Sequence, residues 1–202
     1  MKADVFDMVV VGLGPSVRAF LPAARDYLTM GVNDVGRWFT PDHLLVLDQE
    51  RRFSPERAAV IRNTRPGVGI WYHNPWPGWT DCPEEPRKVR IRVTRCPREK
   101  YGRTLHSLRS DGIGELSRIP HYRTSPFCAA SLAFILGATR IGLVGVDMVN
   151  HPLAESRRAI DEEFFHLASG MAEHGVQLVN LSALSTLSLL RREPLEFIRT
   201  RQ

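Results

Sequence analysis

Hydrophobic residues of this chain are grouped in short continuous runs, and most runs are followed by glycine or polar residues and then by a segment with helical spacing. Short apolar runs bounded by turn residues are typical of strands buried on both faces, as in a parallel sheet. The predicted strands lie at residues 7–11, 28–32, 42–48, 67–72, 141–147 and 176–181. The repeated order of strand, turn and helix predicts a Rossmann-like α/β fold, with a mostly parallel sheet and helices on both faces.

Two segments in the second half of the chain predict long helices. Residues 124–137 are apolar almost all round, which is typical of a buried helix. Thr124 or Ser125 supplies its N-cap, and Gly137 ends it. Residues 154–175 alternate charged and apolar positions and predict an amphipathic helix on the surface.

Composition is that of a globular protein, with 43% hydrophobic and 24% charged residues. We predict one domain, residues 1–202, because this length supports one sizeable core. No apolar run approaches the ~20 residues of a membrane span, and the N-terminus does not resemble a signal sequence, so we expect a cytoplasmic protein. Three cysteines without metal-ligand spacing predict reduced thiols and no zinc site.

The alternation of elements breaks at residues 72–123, which predict an irregular insertion that forms a lid over the ligand cleft. Its first part combines proline and glycine with tryptophan. We expect His73, Trp76 and Trp79 to form this lid or an acceptor platform; the alternative is a loop whose tryptophans close the edge of the core.

Basic residues are concentrated between residues 87 and 109, where Glu99 is the only acid. Residues 89–93 alternate apolar and basic side chains, which predicts a half-exposed strand. Such a segment, in a chain of net charge +5, attracts the phosphates of a donor, a nucleic acid or another anionic surface. The alternative is that these cations protect a strand edge against aggregation.

The first predicted strand runs directly into Gly-Leu-Gly-Pro-Ser at residues 12–16. Gly12 and Gly14 allow the backbone to approach a ligand closely, and Pro15 stiffens the turn. Ser16 is expected to cap the next helix, whose N–H groups favour a phosphate. Val17 stands where a dinucleotide fingerprint needs its third glycine, so the loop predicts a different nucleotide site or a turn without ligand.

Polar residues follow several other predicted strands, at the edge where α/β sheets bind ligands. Asn33 and Asp34 follow the second strand, Asp48 ends the third, and Asp147 ends the strand after the buried helix. The N-terminus of that buried helix, opened by Thr124 and Ser125, predicts a second anion site.

In this order, the motifs resemble the bacterial lipooligosaccharide sialyltransferases and the related pterin-diphosphokinase-like Rossmann family, which includes small phage glycosyltransferase-like proteins. The shared features are Gly-x-Gly-Pro-Ser after the first strand, an asparagine after the second, Thr-Ser before a buried helix, and Gly-Val-Asp after a later strand. The resemblance implies a glycosyltransferase-A-like variant of the fold. It also implies a glycosyltransferase that uses a nucleotide sugar, of the UDP- or CMP-sugar class, without an obligatory metal.

Transferred to the matching positions, the resemblance assigns roles to individual residues. Gly14 and Ser16 would hold the nucleotide phosphate, Asn33 the nucleotide, and Thr124 with Ser125 the ribose, base or donor sugar. Asp147 would order the loop beyond the sheet. Gly12, Pro15 and Asp34 complete the predicted nucleotide and donor site.

The resemblance also implies a histidine base after Gly-Val-Asp, and His151 is the nearest candidate. A histidine with a pKa near neutrality suits removal of the acceptor proton, and Asp48 is the second candidate base. The family's tyrosine pair, which holds the leaving phosphate, has no match in this segment. We therefore expect the arginines of residues 87–109 to supply the charge for the leaving group.

Two acceptors suit the basic and aromatic residues: a hydroxymethylated base in phage-type DNA and a small anionic acceptor. Two other functions stay open. One is an ATP-dependent diphosphokinase of a pterin-like alcohol, with magnesium held by Asp34, Asp48 and Asp147. The other is a nucleotide-binding module without catalytic activity.

Overall fold

A computed structural model describes residues 6–73, 87–94, 96–111, 117–120, 123–149 and 156–201. Its strands are β1 Phe6–Val11, β2 Thr29–Val32, β3 His43–Val46, β4 Gly69–His73, β5 Arg87–Thr94, β6 Ser117–Pro120, β7 Ala138–Val144 and β8 Gln177–Asn180. Its helices are α1 Val17–Phe20, α2 Pro55–Asn63, α3 Tyr101–Asp111, α4 Ser125–Leu136 and α5 Arg157–Ala172. Short 3-10 turns occupy Leu21–Asp26, Asn33–Arg37, Glu50–Arg52, Arg98–Lys100 and Leu195–Phe197.

All eight strands join one parallel sheet in the order β6-β5-β4-β3-β2-β1-β7-β8. The chain builds the sheet outward from β1 to β6 and then returns to place β7 on the other side of β1. Val11, the last residue of β1, pairs with Gly31 on one side and with Val144 on the other. The order therefore reverses between β1 and β7, and ligands of open α/β sheets bind at such a reversal, beyond the carboxyl ends of the strands.

Each face of the sheet is covered by its own apolar cluster. Helices α3, α4 and α5 pack on the first face, where α4 contributes fully buried residues such as Phe127 and Phe134. Helices α1 and α2 cover the second face together with the C-terminal residue Ile198. The predicted α/β fold, with a parallel sheet and helices on both faces, is confirmed.

Two strands and a helix lie within residues 72–123, so the prediction of irregular structure is wrong for the described part of that segment. Helix α3 buries Tyr101 and Leu105 at helical spacing. The signal was weak because Gly102 interrupts the pattern, and its missing side chain is what lets Gly170 of α5 approach; a Cβ at Gly102 would lie 3.0 Å from the Gly170 carbonyl oxygen. Strand β6 contains a single apolar residue besides its proline, so no sequence period marks it.

No helix in the described ranges is both long and apolar enough to cross a lipid bilayer.

At the amino edge of the sheet, where the strands begin, the C-terminal segment is tied down by buried carboxylates. Arg201 donates to both carboxylate oxygens of Asp42, at 2.7 and 2.6 Å, and Asp42 also accepts from the backbone and hydroxyl of Thr29. Arg199 donates to Asp7 in the same way. These contacts attach the C-terminal segment to the amino edge of the sheet. The candidate site is formed by the loops at the opposite, carboxyl edge.

His43, the first residue of β3, makes the stability of the fold depend on pH. Its side chain is buried, and Nδ1 accepts a 3.2 Å hydrogen bond from the Trp71 indole N–H. Burial lowers the pKa of His43 from 6.5 to about 4, against the weaker opposing effect of Asp42. The unfolded chain therefore binds more protons between these two values, so the stability from His43 is complete above pH 6.5 and falls as the pH falls.

We expect the wild type to lose about 2 kcal/mol of unfolding free energy from this group between pH 7 and pH 5. His43→Asn keeps an acceptor for Trp71 but cannot titrate, so its stability should change less over that range. Urea denaturation of both proteins at several pH values measures the difference. Equal pH slopes would contradict the prediction.

Candidate functional site

The loops that follow β1 and β7 lie directly against each other at the reversal point, and we call the space beyond them the switch crevice (residues 12–16 and 145–149). Gly12 N–H donates to the Val144 carbonyl at 2.8 Å, and Gly14 N–H donates to the Gly145 carbonyl at 2.7 Å. A Cβ on Gly12 would lie 2.3 Å from the Gly145 oxygen, and one on Gly14 would lie 2.5 Å from Asp147 Oδ2. The two glycines are therefore required by contact between the two loops, before any ligand is considered.

Asp147 is the centre of a buried hydrogen-bond network that connects three loops. Its carboxylate accepts from the Ser16 N–H at 2.8 Å, from the Ser16 hydroxyl at 2.7 Å and from the Ser182 hydroxyl at 2.6 Å. The Ser16 hydroxyl oxygen in turn accepts from the Gly145 N–H at 2.9 Å. Only 1% of Asp147 is exposed, so its charge is balanced by these donors and not by water.

The expected cap at Ser16 is absent, and this expectation was wrong. Ser16 occupies the N-cap position of α1, but its side chain makes no capping hydrogen bond because Asp147 and Gly145 engage it. Helix α1 is only four residues long before it continues as a 3-10 turn, since Pro22 cannot donate a backbone hydrogen bond.

Strained backbone is concentrated at the carboxyl edge. Of the residues that the structure describes, the only non-glycine residues with positive φ are Asn33, Arg123 and Met148, at 52°, 50° and 57°. Asn33 directly follows β2, Arg123 precedes α4, and Met148 follows β7. Such conformations cost free energy and are common where a ligand site has been shaped.

Unsatisfied polar atoms occur at the same edge. In the described residues, the buried side-chain atoms without a hydrogen-bond partner are Asn33 Oδ1, Asp34 Oδ2 and Thr124 Oγ1. Leaving a buried polar atom unpaired costs about 1–3 kcal/mol, so an unpaired atom needs a physical reason. A bound ligand that supplies the missing hydrogen bonds is one such reason.

Thr124 and Ser125 lie at the N-terminus of α4, which connects the parallel strands β6 and β7 and so begins at the carboxyl edge. Thr124 is the N-cap residue, yet its side chain makes no capping bond, and only 6% of it is exposed. Ser125 is half-buried beside it. The helix ends at Gly137, whose φ of 113° suits glycine, as predicted.

The polar residues after β2 and β3 form a separate cluster of charges. Asp34 is fully buried, and its Oδ1 accepts from Arg57 Nη2 at 2.6 Å, while Arg37 lies 3.5 Å from its Oδ2. The hydrogen bond to Asp34 raises the pKa of the Arg57 guanidinium, and the charge of Asp48 raises it further. Asp48 itself is exposed at the end of β3.

The structure thus brings Gly12, Gly14, Ser16 and Asp147 together and places the other described candidates along the same edge. Pro15 is exposed at the tip of its loop. His73 ends β4, but its side chain is outside the described residues, as are all of Trp76, Trp79 and His151. These assignments stay predictions.

Two further residues complete the site. Arg57 was not singled out from the sequence, whereas Ser182 begins a serine-rich segment, residues 182–190, whose hydroxyls are expected from the sequence to bind a ligand or to cap a helix. Ser182 completes the Asp147 network, and Arg57 pairs with Asp34. Arg57 stands one position after the first acid of a capped helix, which is a common sequence context and carries no functional signal. Ser182 follows the last strand, β8, and that position at the carboxyl edge was its available signal.

Asp34, Asp48 and Asp147, the proposed magnesium ligands of the diphosphokinase alternative, are not gathered into one group. No set of three or more histidine, cysteine or acidic side chains in the described ranges is arranged to hold a metal ion. Asp34 is paired with arginines, and Asp147 accepts hydrogen bonds from serines. No observation in this part of the chain therefore favours the diphosphokinase.

The fold is similar to solved structures of sialyltransferases from Campylobacter jejuni. The sialyltransferase CstII in complex with a substrate analogue, CMP-3FNeuAc, matches with a TM-score of 0.54 and 12% identity, over 98% of this chain and 89% of that chain. CstII in complex with cytidine-5'-monophosphate matches with a TM-score of 0.51 and 13% identity, over 93% and 84%. An alpha-2,3-sialyltransferase in apo form matches with a TM-score of 0.53 and 13% identity, over 100% of this chain and 85% of that chain.

At this level of identity the likeness shows a shared fold. No protein-family model matches the chain, and no curated protein does.

Proposed function

We propose that this protein is a glycosyltransferase that uses a nucleotide sugar. The observation that carries the proposal is the buried, unpaired hydroxyl of Thr124 at the N-terminus of α4. It lies at the edge where parallel sheets bind ligands, in a fold similar to that of sialyltransferases solved with CMP and a CMP-sugar analogue. A donor that accepts or donates a hydrogen bond at Thr124 would remove the cost of the unpaired atom.

We assign the donor to the CMP-sugar class, with UDP-sugars as the second class to test. Gly12, Gly14 and Pro15 form the wall of the nucleotide site, and Ser16 acts with Asp147 to hold that wall in place. Asn33 binds the nucleotide through its side-chain oxygen, which has no hydrogen-bond partner among the residues that the structure describes. Thr124 and Ser125 bind the ribose, the base or the donor sugar.

The proposed reaction transfers the sugar to a hydroxyl. The acceptor oxygen attacks the anomeric carbon, the bond between that carbon and the phosphate oxygen breaks, and the nucleotide leaves with both bonding electrons. A base, His151 or Asp48, takes the acceptor proton. The arginines of residues 87–109 that lie toward the carboxyl edge offset the charge that develops on the leaving phosphate, and no metal is required for this assignment. Arg109 is not among them, because it donates to the Gly137 and Ala138 carbonyls at the amino edge, where β7 begins.

A binding panel tests the donor class. Calorimetry with CMP, UDP, their sugar conjugates and ATP should give binding to a pyrimidine nucleotide and its sugar conjugate and not to ATP. Transfer assays then compare a free glycan with an oligonucleotide that carries hydroxymethylated bases, because a hydroxyl on DNA is one of the two proposed acceptors. Absence of binding to every nucleotide sugar would refute the proposed function.

Thr124→Val is expected to separate ligand binding from stability. Valine has nearly the same shape and removes an unpaired hydroxyl, so the unfolding free energy should stay the same or rise. Donor affinity should fall about five-fold, the effect of one lost hydrogen bond. Calorimetry and thermal melts measure the two quantities.

The matched control is Ser131→Ala in the same helix. The Ser131 hydroxyl is also buried, but its proton is already donated to the Phe127 carbonyl at 3.0 Å, so it does not need a ligand as a hydrogen-bond partner. Its removal should leave donor affinity unchanged. If both variants bind the donor as tightly as the wild type, Thr124 does not contact it.

A further inference from the structure

Arg57, in the first turn of α2, is fixed in position although its guanidinium reaches the surface. Its Nη2 donates to Asp34 Oδ1 at 2.6 Å, and the Phe53 ring packs against the guanidinium, with 5.0 Å between the Arg57 Cζ and the ring centroid. The side chain is 42% exposed, so one edge of the group stays accessible. Within the described residues, no hydrogen bond engages Nε or Nη1.

The buried carboxylate of Asp34 holds the Arg57 guanidinium in this orientation. Its side chain is 1% exposed, and burying a carboxylate costs several kcal/mol unless cations and donors compensate. Here Arg57 and Arg37 share the one buried carboxylate, and the exposed Asp48 is a second acid close enough to act on Arg57, so the four charges sum to zero and it is the fixed orientation of the guanidinium that favours an anion. A pair of this kind contributes little to stability, and its main physical effect is to fix the orientation of the guanidinium.

The location of Arg57 is within reach of the proposed donor. Helix α2 connects the parallel strands β3 and β4, so its first turn lies at the carboxyl edge. Asp34 adjoins Asn33, which has positive φ and an unpaired side-chain oxygen. Strands β1 and β3 are two positions apart, which places their ends about 10 Å from each other. A donor in the switch crevice that extends toward β3 would therefore meet the free edge of Arg57.

We infer that Arg57 is a specificity residue that binds an oxyanion of the donor, and that Asp34 is the positioning residue that aims it. The inference rests on the proposed function. Asp34 Oδ1 engages one of the two Nη2 hydrogens, so the other Nη2 hydrogen and its parallel neighbour on Nε or Nη1 stay available as a pair, and such a pair matches the two oxygens of a phosphate or a carboxylate. The oxyanion is therefore either the nucleotide phosphate or a carboxylate on the transferred sugar.

Binding of cytidine, CMP and CMP-sialic acid to the wild type and to Arg57→Gln tests this inference. Loss of a charged hydrogen bond should lower the affinity for the affected ligand by about 10- to 100-fold. If the affinities for CMP and CMP-sialic acid fall equally while the affinity for cytidine is unchanged, Arg57 binds the phosphate. If only the affinity for CMP-sialic acid falls, Arg57 binds the sugar carboxylate. Arg57→Lys should recover part of the affinity, because it keeps the charge but not the planar pair of donors.

The control for Arg57→Gln is Arg62→Gln on the same helix, since Arg62 pairs with Glu50 and has no part in the cluster around Asp34. It should bind all three ligands like the wild type. Unchanged binding in Arg57→Gln, or an equal loss for cytidine, overturns the inference while the proposed function stands. A wild type that binds none of these ligands and no other nucleotide sugar overturns both.

A double-mutant cycle tests the positioning role of Asp34. Asp34→Asn keeps an acceptor for Arg57, so it should weaken binding less than Asp34→Ala does. If Asp34 acts through Arg57, Asp34→Ala should add little further loss in the Arg57→Gln background. Thermal melts identify any variant that fails to fold, and Asp34→Asn then carries the comparison. Fully additive losses in a folded protein would overturn the positioning role.

Discussion

Asp147→Ala is expected to lower the unfolding free energy by about 4 kcal/mol and to abolish donor binding. The carboxylate accepts from the Ser16 N–H, the Ser16 hydroxyl and the Ser182 hydroxyl, and 1% of it is exposed. Alanine would leave all three donors without an acceptor in a buried position. The loop at residues 12–16 would then lose its connection to the loop after β7, and with it the proposed wall of the nucleotide site.

The control for Asp147→Ala is Asp42→Ala, which removes another buried carboxylate with several hydrogen-bond donors, at the amino edge. Asp42 accepts from Thr29 and Arg201 and is also buried. Its loss should destabilise the protein to a similar degree but leave donor affinity unchanged. Urea denaturation and calorimetry, both at a temperature where each variant is folded, separate the two effects. If Asp147→Ala binds the donor as tightly as the wild type, the Asp147 network does not contribute to the proposed site.

Local sequence patterns predicted most of the sheet because its central strands are mostly apolar. Strands β1, β2 and β3 are short runs of buried residues bounded by polar or glycine residues, and such runs need no knowledge of their partners. Strand β6 and helix α3 escaped the same reasoning. In the described residues, strand β6 pairs only with β5 and has one apolar residue besides its proline. The second residue of α3 is Gly102, which contacts Gly170 of α5 and interrupts the helical pattern.

The position of a residue at the end of a strand was the most informative signal for the site. Asn33 and Asp147 were chosen for that position, and Thr124 was chosen for the start of a buried helix. The structure gives each an unpaired atom or a buried network at the carboxyl edge. The partners of these residues could not be predicted. Ser16 and Asp147 are 131 positions apart, and Asp34 and Arg57 are 23 apart, so neither pair leaves a local pattern.

The same distance in sequence explains why the glycine-rich loop was interpreted incompletely. Gly-x-Gly predicted close approach of a phosphate, but the nearest atoms belong to Gly145 and Asp147. A loop that fits another loop and a loop that fits a ligand need the same small residues. Only the folded chain distinguishes the two, and here the contact between loops also builds the wall of the proposed site.

Gly12→Ala is expected to destabilise the protein by about 3 kcal/mol through this contact alone. Its Cβ would lie 2.3 Å from the Gly145 carbonyl oxygen and 2.8 Å from the carbonyl carbon, both of which are backbone atoms of the first residue after β7. The clash can be relieved only if β1 and β7 separate at their carboxyl ends, which breaks the 2.8 Å bond from Gly12 N–H to Val144. Guanidinium denaturation measures the loss.

Gly67→Ala is the matched control, because it adds the same methyl group to an exposed turn where the nearest atom would be 3.7 Å away. That variant should unfold within about 0.5 kcal/mol of the wild type, since it meets no clash and reduces the freedom of the unfolded chain. A Gly12→Ala protein as stable as Gly67→Ala would mean that the loops after β1 and β7 are able to separate at no cost. The close contact of residues 12–16 with residues 145–149 would then not be what holds the switch crevice in shape.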